Sequence, residues 1–276
     1  MKGFVITLIS VSLIMIIVLL AITVHNEQLK ARRAVIEPLP LLYSAFYFDS
    51  VAIGLNEVVG PRMVLLQSNN STTISITDTL ESENHSLELD SFETFISTEI
   101  ATRTQSNISL NFTNISQGVN RVFINEDYNY TNSHIDNESV FTREGGVPGR
   151  SYIFEYTIGA VRTNSTPMTL LDNATANITI IYTDLNGTVN HTGSINIDQS
   201  NVEIINYGEN CQIRIEVGPI LGNDGSYSVK SSNCEVEYSA TMELDQISFE
   251  KKLGYQYDAI MNYTQGKVSK ITRIGK

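Results

Sequence analysis

The spacing of apolar residues changes twice along this chain, and each change marks a different kind of element. From Phe4 to Val24 there is no spacing at all: FVITLISVSLIMIIVLLAITV holds 21 residues without a charge, Asn, Gln, Gly or Pro. At about 1.5 Å per residue such a helix spans roughly 30 Å, the thickness of a bilayer's hydrocarbon core. A cleaved secretory signal has a shorter apolar region and a small-x-small site, and HNEQLKARR follows Val24 instead. Residues 1–33 therefore read as a retained transmembrane anchor with a short basic flank.

A period near 3.6 comes next. Residues 25–36 could prolong the anchor helix until Glu37-Pro38-Leu39-Pro40 breaks it. In Leu41–Val59, apolar residues recur at Leu41, Ala45, Phe48, Ala52, Leu55 and Val59, and Gly60-Pro61 closes the run. This predicts an amphipathic helix within a juxtamembrane unit, residues 34–61, lying on the membrane or under the domain that follows.

From residue 62 the period becomes two. TTISITD places Ile74 and Ile76 on one face, NISLNFT places Ile108, Leu110 and Phe112 together, and RVFIN pairs Val122 with Ile124. One helix is expected among them, Ser91–Thr102, capped by Asp90 or Ser91, with Phe92, Phe95, Ile96 and Ile100 on one face. Residues 125–150 are rich in Asn, Asp, Ser and Gly, and read as a long loop with a domain boundary near 140–150. SYIFEYTIGAV then puts Tyr152, Phe154, Tyr156 and Ile158 on one side. A hairpin is expected around Asn186-Gly187, further strands follow about every ten residues, and a last hairpin turns at Gln265-Gly266. Residues 62–276 thus predict a mainly β, antiparallel β-sandwich ectodomain.

Composition adds a direction to this picture. The net charge is −12, and residues 61–276 carry 26 acidic and 14 basic side chains against four of each in 1–60. An acidic domain argues against nucleic acid as a partner, because phosphate binding needs basic patches. Fourteen Asn-x-Ser/Thr sites occur, starting at Asn69, Asn70, Asn84, Asn107, Asn111, Asn114, Asn129, Asn137, Asn164, Asn173, Asn177, Asn186, Asn190 and Asn262. With 25 Asn and 52 Ser plus Thr, composition alone would give about 5. Residues i and i+2 share a face of a strand, so a polar outer face raises the count without any sugar. That explanation predicts charged partners at i+2 as often as hydroxyls, and hydroxyls dominate. The excess points to N-glycosylation of an exported domain. Cys211 and Cys234 flank strand-like runs, and a bridge between them would contribute roughly 3 kcal/mol. Lys30, Arg32 and Arg33 oppose this topology, since basic residues favour the cytoplasmic side. Long domains, however, translocate largely regardless of flanking charge. The expected placement is single-pass membrane, with the C-terminal domain extracytoplasmic.

Chemistry is hard to find. No catalytic motif, cofactor fingerprint or metal-ligand spacing occurs, and His25, His85, His134 and His191 are scattered. Gly222-Asn223-Asp224-Gly225-Ser226 resembles a piece of a calcium loop but lacks its alternating carboxylates and terminal Glu, so it reads as a tight turn. No catalytic, cofactor-binding or metal residues are assigned, and the chain is not read as an enzyme.

Met1-Lys2-Gly3, followed by Phe4 and the long apolar run, resembles the leader of type IV pilin-like proteins, including archaeal ones with class III signal sequences. The resemblance covers only the N-terminal segment. It implies cleavage between Gly3 and Phe4, a helix packed in a filament core, and a β-rich glycosylated domain facing outward. Leu8 stands where many bacterial members carry Glu, and the proline-broken second helix departs from a simple pilin stem. Three functions follow as expectations. The first is a membrane-anchored, N-glycosylated cell-surface structural or interaction protein, with membrane lipid, other envelope proteins or copies of itself as partners. The second is a ligand- or envelope-binding ectodomain using Tyr128, Tyr130 and Tyr152. The third is a subunit of a surface enzyme complex.

Overall fold

The computed structural model describes residues 38–59, 61–68, 70–80, 86–124, 127–171, 174–208, 210–245, 255–265 and 268–275. The expected anchor Phe4–Val24, its basic flank and the leader site at Gly3 and Phe4 lie outside the described residues. Among the described residues, no helix is long and apolar enough to cross a membrane.

The period-two segments form two sheets, and the chain is mainly β as expected. The first sheet has the order β1 (Arg62–Gln67), β2 (Ser71–Leu80), β14 (Val236–Asp245), β7 (Gly149–Thr157), β9 (Ala176–Asp184), β10 (Gly187–Ile195). The second runs β16 (Val268–Gly275), β15 (Tyr255–Gln265), β4 (Val119–Ile124), β5 (Tyr128–Ser133), β6 (Glu138–Arg143), β13 (Asn223–Ser232), β12 (Cys211–Ile220), β11 (Asn201–Tyr207), β8 (Arg162–Thr166), with β3 (Asn107–Asn111) also on β15. All pairings are antiparallel except β7 with β9. Strands from both sides of residues 140–150 take part in each sheet.

The sheets face each other in a sandwich-like pair. In β2 burial alternates through all ten residues, with Ile74, Ile76 and Leu80 inward and Ser71, Thr73 and Ser75 outward. Aromatic rings close the gap. Phe154 meets Tyr227 edge-on at 5.2 Å, and the hydroxyls of Tyr156 and Tyr207 lie 3.0 Å apart. Burial raises the Tyr156 pKa and pushes that of Tyr207 up to about 12.

The expected loop at 125–150 is instead largely strand. β5 and β6 form a hairpin in the middle of the second sheet, with Ser133 opposite Glu138 and Asn137 in a left-handed turn at φ 48°. Its burial alternates up to Phe141, where Thr142 is buried as well, and several of the inward residues are polar. Tyr128, Tyr130, Asn132, Ser139 and Phe141 are all fully buried. They meet a buried carboxylate on β2: Tyr130 donates to Asp78 Oδ2, Asn132 Nδ2 donates to the same oxygen at 2.7 Å, and Thr79 N donates to Oδ1 at 2.8 Å. Tyr238 links the Tyr130 and Ser139 hydroxyls. Buried polar groups are tolerable when they satisfy one another in this way. Burial first, and Asp78 second, hold the Tyr130 pKa well above its ordinary value.

Helix α1, Pro38–Val59, starts earlier than expected. Pro38 and Pro40 sit in its first turn, where backbone N–H groups have no intrahelical partner, so they open the helix rather than precede it. Phe48, Val51, Ala52 and Leu55 are buried against β15, β16 and the next helix. Tyr47 stacks on Tyr263 at 6.4 Å, and the Lys270 ammonium lies 4.5 Å from the Phe48 ring centre. A Cβ at Gly54 would come within 2.7 Å of the Phe92 ring, so this glycine permits close approach of the two helices.

Helix α2 begins at Ser86, not Ser91. It runs Ser86–Phe95, widens into a π turn at Ile96–Ile100 and ends in Ala101–Thr104. Asp90 and Ser91 are therefore interior, and Ser91 Oγ donates to the Leu87 carbonyl rather than capping. Leu89 and Ile96, seven residues apart, share the buried face that leaves Phe95 exposed, and the π turn brings Ala101, five residues after Ile96, onto that face as well. A short turn, α3 (Thr113–Ser116), completes the helices among the described residues.

Candidate functional site

The sequence-predicted residues fall into separate places. Cys211 opens β12 and Cys234 follows β13, with Cα atoms 5.3 Å apart in a disulfide. Gln212 pairs with Ser232 between them, so the bridge clamps the open end of one hairpin. At its other end lies the calcium-like stretch. Leu221 and Gly222 make the turn with φ 53° and 81°. The Asp224 carbonyl accepts from Arg143 Nε, and the Gly225 carbonyl accepts from the Tyr152 hydroxyl. Among the described residues, no group of three or more His, Cys, Asp or Glu side chains is placed to hold a metal ion.

Tyr128, Tyr130 and Tyr152 do not form a binding surface. All three are fully buried between the sheets, because Tyr128 and Tyr130 lie on β5 rather than in a loop and Tyr152 lies on β7. Tyr128 donates to the Val147 carbonyl at 2.9 Å, and burial pushes its pKa up to about 12.

The sequon asparagines are distributed differently. Asn69, Asn84 and Asn173 lie outside the described residues. Of the other eleven, Asn70, Asn107, Asn111, Asn114, Asn164, Asn177, Asn186 and Asn190 are exposed, and Asn129, Asn137 and Asn262 are half-buried. The asparagines that are buried, Asn120, Asn132 and Asn201, all lack the following hydroxyl residue of a sequon. Strand phase contributes to this. Asn177 with Thr179, and Asn190 with Thr192, both point out of the first sheet.

One concave place combines an apolar lining with charge. It opens at the lateral margin where the first sheet ends in β10 and the second in β8. Its volume is about 270 Å³. Pro167, Met168 and Leu170, from the segment after β8, form one wall, and Ile178 and Ile180 of β9 form the floor. Its polar corner is a pair of side chains from opposite sheets. His191 Nδ1 lies 2.8 Å from Glu203 Oε1, and the Met168 N–H donates to Glu203 Oε2 at 3.4 Å. Glu203 is only 1 % exposed, and His191 is half-buried. A buried carboxylate needs such partners. Because Glu203 engages Nδ1, the imidazole is oriented with Nε2 as its remaining polar atom. Asn190 and Thr192 stand at the rim.

Sequence reasoning missed Glu203, yet a signal was present. In NVEIINY the inward phase is Asn201, Glu203, Ile205 and Tyr207, so a charge occupies a core position. His191 takes the inward phase of β10 in the same way. No family model, curated protein or solved structure matches the chain.

Proposed function

We propose that this chain is a single-pass membrane-anchored, N-glycosylated cell-surface protein with a structural or interaction role and a pilin-like N-terminus. The observation that carries the reading is the division of its asparagines: described sequon sites lie at or near the surface, and the buried asparagines stand outside sequons. Oligosaccharide attachment requires that exposure. The Cys211–Cys234 bridge fits an oxidising, extracytoplasmic compartment. The apolar run Phe4–Val24 supplies the anchor in sequence.

The deciding measurement is intact-mass and glycopeptide analysis of the protein from its own membrane. Several occupied sequons with an oxidised cysteine pair are expected. Unmodified asparagines with reduced Cys211 and Cys234 would reverse the topology. A mature N-terminus at Phe4 supports the filament form, whereas an intact Met1 or Lys2 removes it and leaves the anchored form standing. The binding-module reading retains one specific support, the cleft beside His191 and Glu203.

A further inference from the structure

We infer that this cleft is a binding site for a small neutral hydroxyl compound, an alcohol or phenol with an apolar body of one ring. The inference goes beyond the surface-protein reading above and stands independently of it.

Three features carry it. The first is what the buried carboxylate does. Glu203 takes an inward position of β11, where an apolar residue would complete the core at lower cost. Both of its oxygens are used. Oε1 accepts from His191 Nδ1 at 2.8 Å, and Oε2 accepts from the Met168 N–H at 3.4 Å. The carboxylate thereby ties two walls of the cleft, β10 and the segment after β8, to the second sheet. It also fixes the imidazole, against which the Tyr182 ring packs nearly at right angles, 5.9 Å between centres. Nε2 is left as the polar atom that His191 brings to the cleft, without a partner among the described residues. Such a group is preorganised for a ligand.

The second is an apolar recess that is built but uncovered. Ile178 and Ile180 of the floor are almost fully buried. Leu170 lies against Gly193 so closely that a Cβ there would sit 2.5 Å from Leu170 Cδ1. The Leu171 N–H donates to the Ser194 carbonyl at 2.9 Å, which holds this wall to β10. Even so, Leu170 is 48 % exposed. An apolar cavity of about 150 Å³ can hold benzene, so the 270 Å³ here accommodates one ring with its substituent.

The third is the match of head group to imidazole. With Nδ1–H given to Glu203, a neutral ring accepts at Nε2 and an imidazolium donates there. An ammonium suits only the neutral ring, and a carboxylate or ketone only the imidazolium. A hydroxyl both donates and accepts, so it suits either. Charge also disfavours a carboxylate, which would approach Glu203 in a chain of net charge −12.

The test titrates the full chain, its methionine methyl groups labelled with carbon-13, with phenol, toluene and benzoate at equal free aqueous concentrations. Phenol and toluene share a shape and differ in the hydroxyl. The Met168 methyl resonance, assigned through M168L, should shift saturably with phenol, at an affinity about fivefold above that of toluene. Benzoate should leave it unmoved. H191F should lower phenol to the level of toluene. L170S, at a side chain already half-exposed, should weaken both ligands alike and keep the preference. A phenol shift that does not saturate, toluene binding as tightly as phenol, or a preference that survives H191F overturns the site. Benzoate binding as well as phenol does the same. Each of these outcomes leaves the surface-protein reading standing, because that reading rests on the sequons and the disulfide.

Discussion

Two hairpins of similar build occupy the middle and the margin of this sandwich, and they differ in what they bury. The β9–β10 hairpin turns between Asp184 and Gly187 and buries Ile178, Ile180 and Tyr182. The β5–β6 hairpin turns between Ser133 and Glu138 and buries Tyr130, Asn132 and Ser139 beside Asp78. Strands β9 and β5 both alternate at two residues, inward and outward. Only the first looks like a strand pair by hydrophobicity. The difference teaches that phase places a residue inside, and that chemistry decides only what must meet it there. For Ile178 and Ile180 of β9 the partners are other apolar groups. In β5–β6 they are hydrogen-bonding atoms in the facing sheet, which is a stricter demand.

The largest way to break the comparison is D78A. It leaves the Tyr130 hydroxyl, the Asn132 amide and the Thr79 N–H without their acceptor, and a loss of about 4 kcal/mol is expected in denaturant unfolding. I180A removes only apolar volume from the other hairpin and should cost about 3 kcal/mol, with the gap set by how far the site collapses. A D78A effect well below that of I180A would show that water replaces the carboxylate, and the polar hairpin would then be less demanding than argued.

A pH titration separates the two hairpins next. Burial holds the Tyr128 pKa at about 12 against an ordinary value of 10. The fold therefore binds this proton more tightly than the unfolded chain does. The stability it contributes is complete below pH 10 and is lost as pH rises through 12. Unfolding free energies measured at pH 9, 10 and 11 should fall more steeply for the native chain than for Y128F. The smallest expected effects come from single hydroxyls. S139A should cost about 1 kcal/mol because Tyr238 retains Tyr130 as a partner. T131A, on the outer face of the same hairpin, should stay within about 0.5 kcal/mol.

Much of this architecture was readable before any coordinates. The apolar phases of β2, β3, β4 and β7 emerge from single-sequence alternation because isoleucine, tyrosine and phenylalanine dominate them. The disulfide followed from two cysteines beside strand runs. The hairpin at Asn186-Gly187 was legible too, although its central residues are Leu185 and Asn186, with Gly187 taking φ 114° just after. What escaped notice was consistently polar and inward: Asp78, Asn132, Ser139, His191 and Glu203. A hydrophobic filter assigns such residues to loops or surfaces, and their partners lie tens of residues away. Glu203 meets His191 from the other sheet, so neither announces the cleft alone. The π turn in α2 is another case. One added residue shifts the buried position to Ala101, and no local pattern in ISTEI marks it.

The docking of α1 sets how the molecule carries load. The helix is seated on β15 and β16, through Tyr47 on Tyr263 and Lys270 over Phe48. The first described element thus rests on the last hairpin of the chain. A pull applied at Pro38 enters through that seat. From there it reaches β15, which is hydrogen-bonded to β16, β3 and β4 together. The first and the last described elements therefore form a single joint, and weakening the final hairpin would loosen α1 with it.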